Sequence, residues 1–226
     1  MENNPLYPIF LKLNQLQLLV VGAGEVGFEK LNFLLRSSPN AQVTIVAPWM
    51  GEELQQLLGG STSTTYTAAG EMELHYAAAE GGRIRYWPRE FRPEDVENAD
   101  LVIAATNLPE VNQAVWRASK AQRRIVNVAD TPDLCDFYLG SIVTRGPLKV
   151  AVSTNGKSPT FAKRFRQWLE QQLPEEETPQ LLTNLKLFRD RLRGDFSAKV
   201  KALNDLTAGL LPEKDQPANE PIHQDR

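Results

Sequence analysis

Apolar residues in this chain recur in two rhythms. Leu16 to Val21 is a nearly unbroken apolar run that stops at Gly22, and Val43-Thr44-Ile45-Val46 is a second that stops before Pro48. Between them FEKLNFLLRS carries Leu31, Leu34 and Leu35 at helical spacing. Pro39-Asn40 then breaks the helix. The pattern predicts strand, glycine turn, helix, strand. Further on, Arg83 to Trp87 predicts a strand and Pro93-Glu94-Asp95 a helix start. Leu101 to Ala105 predicts a strand buried on both faces. Asn107 to Ala121 reads as a helix and Arg124 to Val128 as the next strand. Strands alternating with helices imply a parallel, doubly wound sheet with right-handed crossovers.

Residues 51–82 keep this rhythm less well. GEELQQLL begins as a helix and ends in Gly59-Gly60, and the small polar run STSTTYTAAG predicts an irregular insertion over 59–82. Past Val128 the pattern changes. Gly140 to Val143 and Leu148 to Ser153 predict two strands joined at Arg145-Gly146-Pro147, a hairpin instead of another crossover. Pro159 to Leu173 predicts a helix with Phe161, Phe165, Trp168 and Leu169 on one side. A charged link, Pro174 to Glu177, leads to amphipathic helices over Leu181 to Leu192 and Phe196 to Leu211. The polar tail 212–226 is expected to be disordered. The expected fold class is α/β: a Rossmann-type doubly wound parallel sheet, then a small strand-containing region, then a helical C-terminal region. The expected boundaries are 1–113, 114–156, 157–211 and 212–226.

Composition narrows the partners. Apolar residues make up 42%, enough for a substantial core, and the net charge of −3 gives no global pull toward nucleic acid or membrane. The single cysteine, Cys135, excludes an intramolecular disulfide framework. MENNPLYPIFLKL lacks the build of a signal peptide, and no run approaches the ~20 apolar residues of a membrane span. A cytoplasmic protein is expected. With only His75 and His223, a histidine-based metal cage is not.

The first candidate site follows from Gly22-x-Gly24-x-x-Gly27 between a strand and a helix. In a Rossmann turn the first glycine permits the bend, the second lets a diphosphate approach the backbone, and the third lets helix and strand pack closely. The helix N-terminus adds free N–H groups and partial positive charge. The alternative is a purely structural glycine turn. Candidate cofactor contacts are Gly22, Gly24, Glu25, Val26 and Gly27, with Pro48 and Trp49 after the second run. Ala105, Thr106 and Asn107 follow the apolar run 101–105. The second run ends in Val46-Ala47-Pro48-Trp49 with no acid for the ribose hydroxyls and no arginine for a 2′-phosphate, so NAD is expected over NADP.

Asp130 closes the run 125–128 on the same edge and has two readings. It is a general base, given burial that raises its proton affinity, or it caps the turn at Thr131-Pro132. Between Ser141 and Glu170 stand Arg145, Lys149, Lys157, Lys163, Arg164 and Arg166 against Glu170 alone. Ser153, Thr154, Asn155, Gly156 and Lys157, with Lys163 and Arg166 on the following helix, form a candidate polyanion site; a solvated basic face is the alternative. Nucleic acid is disfavoured because the aromatics fall on the apolar side of that helix. Cys135 reads as a small buried hydrophobe, with a transient iron contact beside Asp133 and Asp136 as the other possibility.

PIFLKL, VVGAGEVG, VTIVAP, IAATN followed by Val111-Asn112, NVAD, DLCDFY and STNGKSP together resemble the siroheme synthase dehydrogenase/ferrochelatase family over about residues 8–170, more loosely to about 211. DLCDFY with Gly140 is most similar to its stand-alone bifunctional branch, and the downstream methyltransferase domain of the longer fused forms is not expected. The resemblance implies NAD-dependent oxidation of precorrin-2 to sirohydrochlorin, often followed by Fe2+ insertion to give siroheme. It assigns the family's key aspartate to Asp130, and its acidic tetrapyrrole substrate to the basic turn and helix. It also implies a homodimer paired through the region 114–156 and the helices that follow. The chain departs from the usual pattern at Ala23, Glu29, Gly140 and Asn155, where many members carry Gly, Arg, Pro and Gly. Two other readings stand beside this one: a dehydrogenase without chelatase activity, and a non-catalytic NAD-sensing module.

Overall fold

The computed structural model describes residues 3–193 and 195–210, so the expectations for Leu211, His223 and the tail 212–226 lie outside the described residues. Along the chain run β1 (Gln17–Val21), α1 (Glu25–Ser37), β2 (Gln42–Val46), α2 (Glu52–Leu58), β3 (Ser61–Tyr66), β4 (Met72–Tyr76) and β5 (Arg83–Trp87). Then come β6 (Leu101–Ala104), α3 (Pro109–Ala121), β7 (Ile125–Val128), β8 (Ser141–Arg145), β9 (Leu148–Val152), α4 (Pro159–Gln172), α5 (Glu177–Arg191) and α6 (Phe196–Thr207).

Two compact units result. One is Met1–Ile142 with Ala151–Arg166; the other is Val143–Val150 with the chain from Gln167 onward. The first holds a seven-stranded sheet in the order β3-β4-β5-β2-β1-β6-β7. The five strands from β5 to β7 are parallel, and β3 and β4 pair antiparallel at the β5 edge. β7, which the sequence groups with residues 114–156, belongs to this sheet, and the Asp130 turn lies in the same unit.

Period-two alternation explains why the runs read as continuously apolar. Leu18 and Val20 enter the core beneath α1 and α2, with Leu31, Leu34, Val43, Ile45, Leu54 and Ile103. Leu19 and Val21 enter the opposite core, with Val46, Val96, Val102, Val115, Val126 and Val128. Both faces are covered over β1, β2, β6 and β7, so most of their residues carry apolar side chains.

Two expectations fail. The stretch 59–82 is not irregular: β3 and β4 form a hairpin that extends the sheet. Thr and Tyr suit a pleated strand, and β3 is exposed throughout, so no apolar alternation betrays it. The expected helix at Pro93 is a single 3-10 turn, Pro93–Val96, from which only Val96 is buried.

The second unit is fastened by Arg145. Its guanidinium donates to the carbonyls of Leu173 (2.7 Å) and Glu170 (2.9 Å), satisfying the C-terminal end of α4. Gly146, at φ +54, turns the hairpin against Pro179, whose side chain leaves no room for a Cβ there.

Candidate active site

At the carboxyl end of β1 the chain bends at Gly22, φ +108, where an added Cβ would lie 2.4 Å from the Ala105 carbonyl oxygen. A Cβ on Gly27 would lie 2.3 Å from the Gly22 carbonyl oxygen. Both glycines are therefore required by backbone packing against backbone. Gly24 is the N-cap of α1 and offers no capping side chain, so the first-turn N–H groups remain available. The loop after β2 closes over this turn. Gly51 N–H donates to the Ala23 carbonyl (2.8 Å), and the Trp49 ring, 60% exposed, stands 3.3 Å from where a Cβ of Gly24 would be. Tyr86 Oη donates to the Ala47 carbonyl (2.9 Å), and burial pushes its phenol up to about 12.

These elements surround a cleft of about 590 Å³. Gly22, Gly24, Glu25, Val26, Pro48, Trp49, Ala105, Thr106 and Asn107 all line it; Gly27 lies beneath, packing α1 on β1. The uncapped N-terminus and the side-chain-free turn fit a dinucleotide diphosphate. Sequence reasoning missed Glu90, Phe91, Glu110 and Val111 as lining residues. Asn112 stands behind this rim. That side chain is buried, accepts from Thr106 N (3.1 Å) and Oγ1 (2.7 Å), and donates to the Thr106 carbonyl (3.0 Å). It thereby fixes the Thr106-Asn107 rim.

Asp130 does not line this cleft. It leaves β7, the strand beside β6, and Ala129 N–H still bonds the Ala104 carbonyl (2.9 Å). Asp130 has φ +57, a left-handed conformation that costs a non-glycine residue of order 1 kcal/mol. Its carboxylate is exposed and makes no hydrogen bond or ion pair among the described residues; the turn-capping bond is absent. The turn is held instead by Cys135. Val128 N–H donates to its sulfur (3.3 Å), and the thiol donates to the carbonyls of Val128 (3.2 Å) and Thr131 (3.4 Å). Burial, foremost, pushes the thiol above its ordinary value, so it stays protonated and keeps donating. Asp136 is engaged by Lys120 (2.7 Å) and Val126 N–H (3.0 Å). Cys135 and Asp136 are thus structural partners of the backbone, and Cys135 also packs against the core on the β7 side. No group of three or more metal-ligating side chains occurs among the described residues.

The turn before α4 belongs to the same unit as the sheet. Asn155 N–H bonds Ser153 Oγ (3.2 Å), Ser158 N–H bonds Thr154 Oγ1 (3.2 Å), and Phe161 N–H bonds Ser158 Oγ (3.2 Å). Ser153 and Thr154 therefore build the turn. Ser158 caps the helix, a role readable from Ser-Pro and overlooked. Asn155 (φ +51) and Gly156 (φ +74) are both left-handed. Lys157 and Lys163 are exposed; Arg166 is half-buried. Of the cations counted in this stretch, Arg145 serves α4 and Lys149 bonds Thr144 Oγ1 (3.2 Å).

Comparison with known proteins gives a consistent picture. Residues 9–141 match a family described as putative NAD(P)-binding, and residues 145–172 match the sirohaem biosynthesis protein central family. The siroheme synthase of Nitrosomonas europaea is 38% identical over 189 residues, covering 84% of this chain and 35% of the relative. That of Methylobacillus flagellatus is 40% identical over 167 residues, covering 74% and 31%. The chain spans about a third of the length of these curated relatives. Among solved structures, the precorrin-2 dehydrogenase SirC superposes with a TM-score of 0.64 at 25% identity, covering 89% of each chain.

Proposed function

The chain belongs to the siroheme synthase family, and from that premise we propose that it oxidises precorrin-2 to sirohydrochlorin with NAD and then inserts Fe2+ to give siroheme. The observation that carries this reading is Asp130: an exposed carboxylate without a partner among the described residues, in a strained turn just past β7, the strand beside β6, after which the chain lines the cleft. Such strain is tolerated where geometry serves function.

Bound NAD supplies the hydride acceptor. Gly22 and Gly24 with the α1 N-terminus would hold its diphosphate, and Pro48, Trp49, Ala105, Thr106 and Asn107 would flank its two halves. Absence of cations from the cleft lining among the described residues favours NAD over NADP. Asp130 takes the proton that leaves when hydride is lost from the macrocycle. An apolar macrocycle over this exposed carboxylate would desolvate it and strengthen it as a base. In the chelation step two pyrrole N–H protons leave as Fe2+ enters, and the same carboxylate accepts in turn; Fe2+ is a substrate here. Lys157, Lys163 and Arg166, with the N–H groups around Gly156, meet the substrate carboxylates. Phe161, Phe165 and Trp168 lie exposed on α4 and suit pairing with a second copy in a homodimer. A cytoplasmic setting fits this chemistry; no described helix is long and apolar enough to cross a membrane.

Anaerobic incubation with precorrin-2 and NAD should yield NADH and the sirohydrochlorin spectrum. Adding Fe2+ or Co2+ separates the bifunctional enzyme from a dehydrogenase alone, and absence of NADH leaves the sensing module. Asp130→Asn should lower turnover roughly 10²- to 10⁴-fold while NAD affinity holds. Undiminished turnover removes Asp130 from the chemistry.

A further inference from the structure

The cofactor cleft is lined by three carboxylates, Glu25, Glu90 and Glu110, and by no lysine or arginine among the described residues. Two of the three have a local reason. Glu25 and Glu110 stand in the first turns of α1 and α3, where the helix dipole favours an acid. Glu90 is on no helix, and its carboxylate has no hydrogen-bond or ion-pair partner among the described residues.

Its position follows from sheet order. The ribose of the adenosine half rests over the end of the second parallel strand, where dinucleotide-binding folds usually carry an acid. Here that end is Ala47-Pro48-Trp49. The next strand outward is β5, parallel to β2 with Trp87 opposite Val46. Ala47 N–H bonds the Trp87 carbonyl (3.3 Å) and Tyr86 Oη bonds the Ala47 carbonyl (2.9 Å), so the two strand ends are tied together. Three residues past Trp87 comes Glu90, on the cleft. The neighbouring cation is turned away: Arg89 is bidentate on Asp95 (2.6 and 2.8 Å) and lines a separate cavity. Glu25 stands at the diphosphate turn, where its charge would repel, and Glu110 stands on the β6 side, toward the nicotinamide half.

We infer that Glu90, in the loop that leaves β5, holds the adenosine ribose hydroxyls in place of the missing acid after β2 and excludes a 2′-phosphate. This rests on the dinucleotide reading of the cleft. The test is equilibrium binding of NAD, NADP and the 2′-deoxyadenosine analogue of NAD to the full chain. Wild type should prefer NAD to both others. Glu90→Gln should weaken NAD about tenfold, a charged hydrogen bond's worth, and bind the deoxy analogue as well as NAD. Glu90→Lys should bring NADP level with NAD or ahead. The thermal midpoint should not move, because the carboxylate is exposed and unpartnered. If wild type binds NAD while Glu90→Gln keeps the wild-type ratios among the three ligands, the inference is overturned and the cofactor reading stands. If wild type binds none of them, the cofactor reading itself falls and takes the inference with it.

Discussion

The Gly22–Gly27 turn and the Ser153–Lys157 turn each lead into a helix and each is a proposed anion site, yet they are built in opposite ways. The first closes backbone on backbone, with Gly22 against Ala105 and Gly27 against Gly22. The second closes through side-chain oxygens of Ser153, Thr154 and Ser158, and nothing lies within 4 Å of a Cβ added at Gly156. Their charge differs as well. Carboxylates line the first site, whereas Lys157 and Lys163 stand exposed at the second. A site made from N–H dipoles fixes one ligand in one pose; a site made from flexible ammonium groups suits a polycarboxylate with many arms.

The sharpest way to break this contrast is to add one methyl group at each turn. Gly22→Ala places a Cβ 2.4 Å from a carbonyl oxygen at φ +108. It should cost on the order of 3 kcal/mol of stability and abolish measurable NAD binding. Gly156→Ala meets only left-handed backbone strain, about 1 kcal/mol, and should leave NAD affinity unchanged. Paired thermal melts and NAD titrations decide it; equal losses at the two positions would erase the distinction.

Salt offers a milder probe. Lys163 is exposed and has no partner among the described residues. Lys163→Gln should raise the KM for the tetrapyrrole roughly two- to fivefold at low ionic strength, with the effect shrinking as salt rises. NAD affinity, resting on backbone dipoles within a cleft, should respond little. A substitution effect that is independent of salt would return the basic helix to a merely solvated face.

The same contrast explains what could be read from the chain. Apolar runs, a glycine turn and a helix period are local signals, so β1, β2, β6 and β7 were legible to within a residue and α1 to within three at its start. The residues around the candidate cofactor cleft followed because the turn announces its own geometry. β3 was hidden because an edge strand exposed on both faces needs no apolar pattern. Glu90 was hidden because only sheet order sets the end of β5 beside β2. Arg145 was counted among the substrate cations, yet it caps a helix end 25 and 28 residues away, a pairing that no local pattern encodes. The structural work of Cys135 likewise depends on a fold-back of seven residues to Val128.

That fold-back makes the Val128–Cys135 turn an intermediate case, and it carries the smallest expected effect. A backbone segment in a strained conformation is held there by its backbone bonds together with one neutral thiol. The fold raises the thiol's affinity for its proton, chiefly by burial. A raised value means that the stabilisation is fully present below the ordinary thiol value of 9.0 and is lost as pH rises through the raised one. Stability should therefore sag above pH 9.0 in the native chain, before the Tyr86 phenol titrates at about 12. Cys135→Ala removes that alkaline step, costs about 1 kcal/mol at neutral pH, and should slow turnover less than twofold by loosening the seat of Asp130. Chemical denaturation of both chains from pH 7 to 11 measures the difference. A step that survives in Cys135→Ala would assign it to another group and leave the Asp130 turn resting on its backbone bonds alone.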